Sequence, residues 1–230
     1  MKKIITALGI GFMVAGASQA GLVVTNEFSS AETFSTLDNV SSMDLATGLA
    51  VERNWTGGNF TATLATDGLL GSGFDNNAPN DKIGDGIFRY KIDLGSAQGI
   101  GKVNTYAFSD NGVRCMQTFT LYGSVADTAS FDETDGATWV MIASVDTTGA
   151  TGLSGDTWGV TSIYDDGGAA LGTYRELLWV TEPVNWTDRG GYEASIYKEF
   201  DVVAVPEPAT LGLVVAFGGG ILFIRRRLML

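Results

Sequence analysis

The sequence predicts an all-β protein, an antiparallel β-sandwich with a helical segment at each end. Between residues 21 and 204, short runs of alternating apolar and polar residues are separated by Gly, Asp and Asn, without a long helical period. Glycine is frequent, at 31 of 230 residues, and it suits the positive-φ positions of tight turns. Both ends carry uncharged apolar stretches instead. We therefore expect three parts: residues 1–20, 21–204 and 205–230.

The first part has the organisation of a secretory signal peptide. Lys2 and Lys3 precede an apolar run from Ile4 to Ala17, and the small-residue exit Ala-Ser-Gln-Ala ends at Ala20. We expect cleavage after Ala20 and export through the Sec machinery. Residue 21 is glycine rather than cysteine, so the sequence does not predict a lipid anchor.

The last part combines a rigid motif, a short membrane helix and a basic stop. Residues 209–224 are uncharged, and as a helix they would span about 24 Å, somewhat less than the roughly 30 Å of a bilayer core. A buried C-terminal helix of a soluble domain is the alternative, but glycines in the window and terminal arginines fit a membrane segment better. The motif residues are Pro206, Glu207, Pro208, Arg225, Arg226 and Arg227.

This order of Pro-Glu-Pro, hydrophobic helix and terminal arginines resembles the PEP-CTERM sorting signal of Gram-negative bacteria. The resemblance covers residues 205–230. It implies processing by an exosortase, a membrane transpeptidase-like protease, with transient anchoring by the helix. It also implies a place at the cell surface or in an extracellular matrix linked to exopolysaccharide and biofilm. It implies nothing about the chemistry of the body.

The body is strongly acidic. Five of the 14 basic residues and one of the 26 acidic residues lie in the two end segments, which leaves nine against 25 and a net charge of −16. Such a surface excludes nucleic acid as a partner, because its binding needs clustered Lys or Arg. Histidine is absent, which removes the usual general base and most zinc sites. Cys115 is the only cysteine, and a buried inert thiol is the expected state.

Alternation of apolar residues predicts the strands. The clearest segments are 87–94, 118–122, 137–146 and 192–203, and weaker ones are 22–28, 100–108 and 173–181. Period two places Trp139, Met141, Ala143 and Val145 on one face of their strand. In the last strand it places Ala194, Ile196, Phe200 and Val202 on one face, with Lys198 as the exception.

The order of these pieces resembles a galactose-binding-like domain, the discoidin or coagulation-factor C-type jelly roll found in carbohydrate-binding modules. The matching segments are 65–68, 90–95, 103–106, 119–124, 139–143, 174–179 and 197–202, within residues 55–203. The sequence departs from the pattern between Ser124 and Tyr174, a long glycine-rich stretch. The resemblance implies a jelly-roll sandwich and a carbohydrate as ligand.

The resemblance also implies a structural calcium ion. In these modules an Asp-Gly loop and a glutamate of the last strand often hold it, and the corresponding residues here are Asp67 and Glu199. Calcium takes six to eight oxygens, many of them backbone carbonyls, and Gly68 would let the loop close. The alternative is an ordinary Asp-Gly turn with a solvated glutamate.

Other acidic groups are weaker candidates. Residues 74–86 are rich in Asp and Asn, but Pro79 and the missing glutamate do not fit an EF-hand, so a solvated turn is expected. Asp132–Glu133 and Asp165–Asp166 could be paired carboxylates of a polysaccharide hydrolase. Adjacent residues of a strand point to opposite faces, which disfavours that interpretation.

Three tryptophans lie among Gly, Asn and Asp, where an aromatic ring could stack on a sugar. They are Trp55, Trp158 and Trp186, and Trp55 and Trp186 each stand in an Asn-Trp-Thr triplet. Core packing is the usual role of tryptophan. Taken together, the sequence predicts an exported, non-catalytic surface or matrix protein. A carbohydrate-binding module is the alternative, and a hydrolase is the least favoured.

Overall fold

The computed structural model describes residues 21–30, 44–54, 62–70, 87–109, 112, 114–186, 191–193 and 195–205. These residues form β-strands and no helix, so the all-β class is confirmed for this part of the chain. None of them belongs to a helix long and apolar enough to cross a membrane. The signal peptide, the sorting motif and the helix predicted over 209–224 lie outside the described residues and stay predictions.

Every pairing between the described strands is antiparallel. The strands are β1 (Leu22–Ser29), β2 (Val51–Arg53), β3 (Phe88–Ser109), β4 (Thr118–Ser124), β5 (Val140–Asp146), β6 (Thr157–Asp165), β7 (Gly172–Thr181), β8 (Val184–Trp186), β9 (Gly191–Glu193) and β10 (Ile196–Ala204). Eight of them form one hydrogen-bonded sheet in the order β1-β6-β3-β7-β4-β5, with β10 and β2 also paired to β3. Strands β8 and β9 form a separate ladder.

The long strand β3 belongs to both layers of the sandwich. Its first half pairs with β2 and β7, and its second half, from Ile100 onward, pairs with β6 and β10. The register breaks between Asp93 and Gln98, where Gly95 has a φ of 77°, a conformation that glycine adopts without steric cost. One layer therefore contains β2, β3, β7, β4 and β5, and the other contains β1, β6, β3 and β10.

Aromatic side chains from the two layers meet in the core. Trp179 of β7 is fully buried, and its ring centroid lies 4.9 Å from that of Phe200 of β10. The indole Nε1 donates a hydrogen bond across the core to Thr105 Oγ1 of β3, at 3.1 Å. Tyr90, from the first half of β3, lies 5.5 Å from the same Phe200 ring. Loss of a buried aromatic ring of this kind costs about 3–5 kcal/mol.

Two ends of the body can be distinguished by the strand registers. Leu22, at the start of β1, lies opposite Asp165, and Ala204, at the end of β10, lies opposite Ile100 near the bend of β3. We call this end the chain-end pole, because the described body starts and finishes there. Strand β3 starts at the opposite end, runs to the chain-end pole and returns.

The opposite end is the loop pole. Phe88 pairs there with Thr181, and Ser109 pairs with Thr157. A small buried cluster closes this end, in which Met116 and Val184 pack with Leu153. The strand ladder β8–β9 follows directly after β7 at this pole.

Residues 125–139, the covering loop, join β4 to β5 and fold back over the outer face of β7. Ala129 and Trp139 of this loop pack on Leu178 and Val180 in a buried cluster of their own. The indole Nε1 of Trp139 donates to Ser130 O at 2.9 Å, so the ring also fixes the backbone of the loop. The stretch between Ser124 and Tyr174 departs from the galactose-binding-like pattern. Its first part, the covering loop, packs on the outer face of β7.

Basic side chains of β3 hold the covering loop in place. Arg89 donates to both carboxylate oxygens of Glu133, at 2.5 and 2.6 Å. Lys91 Nζ donates to Ala129 O at 2.9 Å, and Ala129 N donates to Glu176 Oε2 at 3.0 Å. The hydrogen bonds from Arg89 lower the pKa of the Glu133 carboxyl below its usual value. The pair is a bidentate, charge-assisted contact, which is stronger than a neutral hydrogen bond.

Two of the predicted strand faces are wrong in part. In β5, a register shift opposite Leu121 and Tyr122 adds a residue, so the alternation restarts. Of the four residues predicted to share a face, Trp139 packs on β7 as part of the covering loop and Met141 is 45% exposed. Ala143 and Val145 face the core, and Ile142 joins them there.

In β10, a shift between Tyr197 and Glu199 restarts the alternation, and Ile196 to Val203 are buried on both faces. Phe200 and Val202 face the core as predicted, but Tyr197 joins them there in place of Ile196, and Ala194 lies outside the described residues. Lys198, the predicted exception, lies at this shift, and its ammonium group stands 5.8 Å from the centroid of the Trp158 ring.

The Glu133→Gln substitution removes one charge of the pair that holds the covering loop. We expect the free energy of unfolding at pH 7 to fall by about 1 kcal/mol. Because the folded-state pKa of Glu133 is lowered, this stabilisation is present above the ordinary value of 4.5 and is lost as the pH falls through the folded value. Urea unfolding at pH 7 and pH 3 measures it, with Glu182→Gln at an exposed position as the control. An equal loss of unfolding free energy at pH 7 and pH 3 would contradict a stabilising charge on Glu133.

Candidate functional site

The Asp67–Gly68 turn lies against the last strand. Gly68 has a φ of 78°, and its backbone N–H donates to Glu199 Oε1 at 2.9 Å. Asp67 Oδ1 accepts from Leu69 N at 2.9 Å, which closes the turn locally. Phe200 N donates to Ala65 O at 2.8 Å, so the turn is also fixed to β10 through the backbone. The structure therefore brings the two predicted calcium residues to one place.

Glu199 is fully buried, so the alternative of a solvated glutamate is wrong. Its second oxygen, Oε2, has no hydrogen-bond partner among the described residues. Burial raises the pKa of this carboxyl to about 9, and the carboxylates of Asp201, Asp67 and Asp44 act in the same direction. An ionised carboxylate in such surroundings is costly unless a cation compensates it.

Asp44 was not predicted as part of this region. Its Oδ1 accepts from Ala46 N and from Val202 N, both at 3.0 Å, and its Oδ2 accepts from Thr47 Oγ1 at 2.8 Å. Leu45 N then donates to Val202 O at 2.7 Å. The segment therefore binds the free edge of β10 beside the Asp67–Gly68 turn. The sequence Asp-Leu-Ala-Thr-Gly carries a local signal for such an aspartate turn.

The residues present fit a calcium ion. An orphaned, buried carboxylate oxygen stands beside a tight Asp-Gly turn, and calcium binds hard oxygen ligands of this kind. Within the described residues, no three acidic, His or Cys side chains converge on a common metal position. Backbone carbonyl oxygens would have to complete the ligand set, and calcium accepts them.

The two acidic pairs considered for catalysis have other roles. Glu133 is bound by Arg89, and Asp132 Oδ1 accepts from Thr134 N at 3.1 Å within the covering loop. Asp165 Oδ1 accepts from Gly167 N and Ala169 N, at 2.9 and 3.2 Å. These carboxylates organise loops.

Cys115 is buried, as expected, and burial raises the pKa of its thiol to about 12. The Asp- and Asn-rich segment 74–86 lies outside the described residues.

The tryptophans fall into two groups. Trp139, Trp158 and Trp179 are buried, so the suggestion that Trp158 forms a sugar platform is wrong. Trp158 lies on β6 with its ring 4.7 Å from that of Phe108, under a second apolar cluster that includes Leu70. Sequence reasoning missed this because both faces of the β6 layer are covered.

The other two tryptophans belong to the Asn-Trp-Thr triplets. Trp55 lies outside the described residues, and only the backbone of Trp186 is described, as the end of β8. Asn54, the residue before Trp55, is fixed beside the start of β3, because its Oδ1 accepts from Arg89 N at 3.0 Å. Arg89 is next to Phe88 at the loop pole, and β8 follows β7 there. Asn54 and strand β8, the described parts of the two triplets, therefore both lie at the loop pole, away from Gly21 and Val205.

No protein-family model and no curated protein sequence matches the chain. Among solved structures it is similar to chitosan-binding module 1 of a chitosanase/glucanase from Paenibacillus sp. IK-5, with 18% identity over 70% of this chain and 98% of that one and a TM-score of 0.45. It is similar to the lectin domain of lectinolysin complexed with Lewis B antigen, with 15% identity over 73% and 100% of the two chains and a TM-score of 0.47. A third is CpGH89CBM32-5 from Clostridium perfringens, in complex with GalNAc-β-1,3-galactose, with 16% identity over 71% and 100% and a TM-score of 0.46. The ligands in these names are those of the named proteins.

Calcium binding gives a direct test of the Asp67–Glu199 region. Adding calcium to EDTA-treated protein should raise the melting temperature, because the ion binds the folded state and not the unfolded one. The Glu199→Gln variant keeps an oxygen for the Gly68 N–H but removes the charge, so its melting temperature should not respond. Asp156→Asn, at an exposed loop position, is the control and should respond like the wild type. A wild type without any upward shift would contradict the calcium assignment.

Proposed function

We propose that the body is a non-catalytic carbohydrate-binding module that is exported and held at the cell surface or in the extracellular matrix. The observation that supports it is the common position of Asn54 and strand β8, the described parts of the two Asn-Trp-Thr triplets, at the loop pole. The described body starts and finishes at the opposite pole. Loops at one end of a rigid sandwich are a usual place for binding residues.

The chemistry of the triplets suits a sugar. An indole ring offers a flat apolar face on which the C–H face of a pyranose can stack, and its N–H remains a hydrogen-bond donor. The neighbouring Asn and Thr can donate to and accept from hydroxyl groups. In this proposal, Trp55 and Trp186 are the stacking residues.

The charge of the body narrows the class of carbohydrate. A net charge of −16 over residues 21–204 repels polyanions such as uronate or sulfate polymers. It tolerates neutral glycans and attracts those that carry amines. The proposed ligand is therefore a neutral or amine-bearing polysaccharide.

The proposal includes a calcium ion and the terminal segments. Asp67 and Glu199 would hold the calcium ion, which would neutralise the buried carboxylate and fix the 62–70 segment on β10. Residues 1–20 would direct export through the Sec machinery with cleavage after Ala20. Residues 205–230 would anchor the chain until an exosortase processes it, in a matrix of exopolysaccharide.

The loss of stacking residues tests the carbohydrate proposal. Trp55→Ala and Trp186→Ala should each weaken binding to neutral or amine-bearing glycans on an array by at least about tenfold, as expected for a central aromatic contact. Tyr164→Ala changes a partly exposed aromatic residue near the chain-end pole and should leave binding unchanged. A wild type that binds no glycan would favour a purely structural matrix role. Polysaccharide turnover abolished by one Asp or Glu substitution would favour a hydrolase.

The sorting proposal has a separate test in the producing cells. Deleting residues 206–230 should move the chain from the membrane fraction to the soluble exported fraction, because the apolar segment and its basic stop are lost. Replacing Arg225, Arg226 and Arg227 by Lys keeps the charge and should preserve membrane retention. Full-length chain with residues 1–20 and 205–230 intact, dissolved in the cytosol, would contradict export.

A further inference from the structure

The first described residue, Gly21, lies against two carboxylates. A Cβ placed on Gly21 would stand 2.5 Å from Asp165 Oδ2 and 2.9 Å from Asp166 Oδ1, and these two residues supply the three nearest heavy atoms. Gly21 has a φ of 110°, and its carbonyl oxygen accepts from Asp166 N at 2.9 Å. Only glycine combines this backbone conformation with the lack of space.

Gly21 is also the residue that signal peptide cleavage would turn into a terminus. Hydrolysis of the Ala20–Gly21 peptide bond adds water, so that Ala20 leaves with a carboxylate and Gly21 keeps a free amine. An α-amino group has a pKa near 8 in model peptides and is a cation at neutral pH. Cleavage therefore creates a positive charge at Gly21, directly before β1, where the carboxylates of Asp165 and Asp166 lie close by.

We propose that the α-ammonium group of Gly21 binds Asp165 and Asp166 in the processed protein, so that removal of the leader completes the fold at the chain-end pole. The inference rests on the proposed export with cleavage after Ala20. From the position of the Cβ, the Gly21 nitrogen lies within about 5 Å of Asp165 Oδ2 and within about 5.5 Å of Asp166 Oδ1. Asp165 uses Oδ1 for the backbone of its own turn, while Oδ2 is the atom directed at Gly21.

The pair gives Asp165 and Asp166 a role that their sequence position alone does not explain. Adjacent carboxylates repel each other, and a cation between them relieves the repulsion. In the precursor the same nitrogen is an uncharged amide. A chain whose first residue is Gly21 should therefore be more stable than a chain that keeps extra residues in front of Gly21.

Proteins with defined N-terminal residues test the ion pair between Gly21 and the two aspartates. The full chain from Gly21 to Leu230, in mild detergent, is compared with a chain that keeps Ala20 in front of Gly21, which carries the same charge about 3.8 Å further along. Both are also made with Asp165→Asn and Asp166→Asn together, and with Asp166→Asn alone in case the double variant fails to fold. Asp156→Asn, in an exposed loop, is the control substitution.

The extra alanine should lower the melting temperature by about 1–4 °C in the wild type and in the control, the size expected of a partly exposed ion pair. It should have no effect in the double Asn background and a reduced effect with Asp166→Asn alone. An equal fall in melting temperature in all backgrounds, or no fall in the wild type, would contradict the proposed ion pair.

The mass of the exported protein tests the underlying cleavage separately. A first residue other than Gly21 would overturn the proposed processing site, whereas a start at Gly21 without the melting-temperature difference would overturn the ion pair alone.

Discussion

The sandwich depends on the contact that Trp179 makes across its core. The indole lies edge-on to Phe200 of the opposite layer and donates to Thr105 Oγ1, so a single buried side chain supplies both apolar area and a satisfied polar group. Because Thr105 and Tyr90 come from the two halves of β3, the contact also fixes the bend of that strand. The relative position of the two layers, and therefore of every loop between them, follows from this packing.

Much of this architecture could be predicted from the sequence, because alternation survives where one face of a strand is covered. The clear alternation of residues 87–94 predicted a strand for that reason, and residues 88–94 lie in β3. The pattern is weaker where both faces are buried, as in residues 173–181 of β7, and it failed in β6. Strand β6 was not predicted, and Trp158 was considered as a sugar-stacking residue, because the outer face of this strand is covered by Leu70 and its neighbours. Bulges in β5 and β10 are not visible in the pattern at all.

In the candidate site, too, the local turn could be predicted from the sequence, whereas the contacts that depend on packing could not. The local Asp-Gly signal predicted a turn, but its attachment to Glu199, 131 positions later in the chain, depends on the packing of β10. The burial of Glu199 and the role of Asp44 follow from the two segments that cover the edge of that strand. Burial raises the pKa of the Glu199 carboxyl to about 9, so without a cation this group is protonated at neutral pH, and a bound cation would let it ionise.

The two ends of the described body differ: Gly21 and Val205, where it starts and finishes, lie at the chain-end pole, and Asn54 and strand β8 lie at the loop pole. Binding at the loop pole is the central claim of this account. Hydrogen–deuterium exchange, with and without the oligosaccharide that binds best on a glycan array, measures it most directly. The account predicts slower exchange in residues 54–61 and 184–193 and no change at residues 21–24 and 94–100. Protection confined to the chain-end pole, or no change at saturating oligosaccharide, would contradict it.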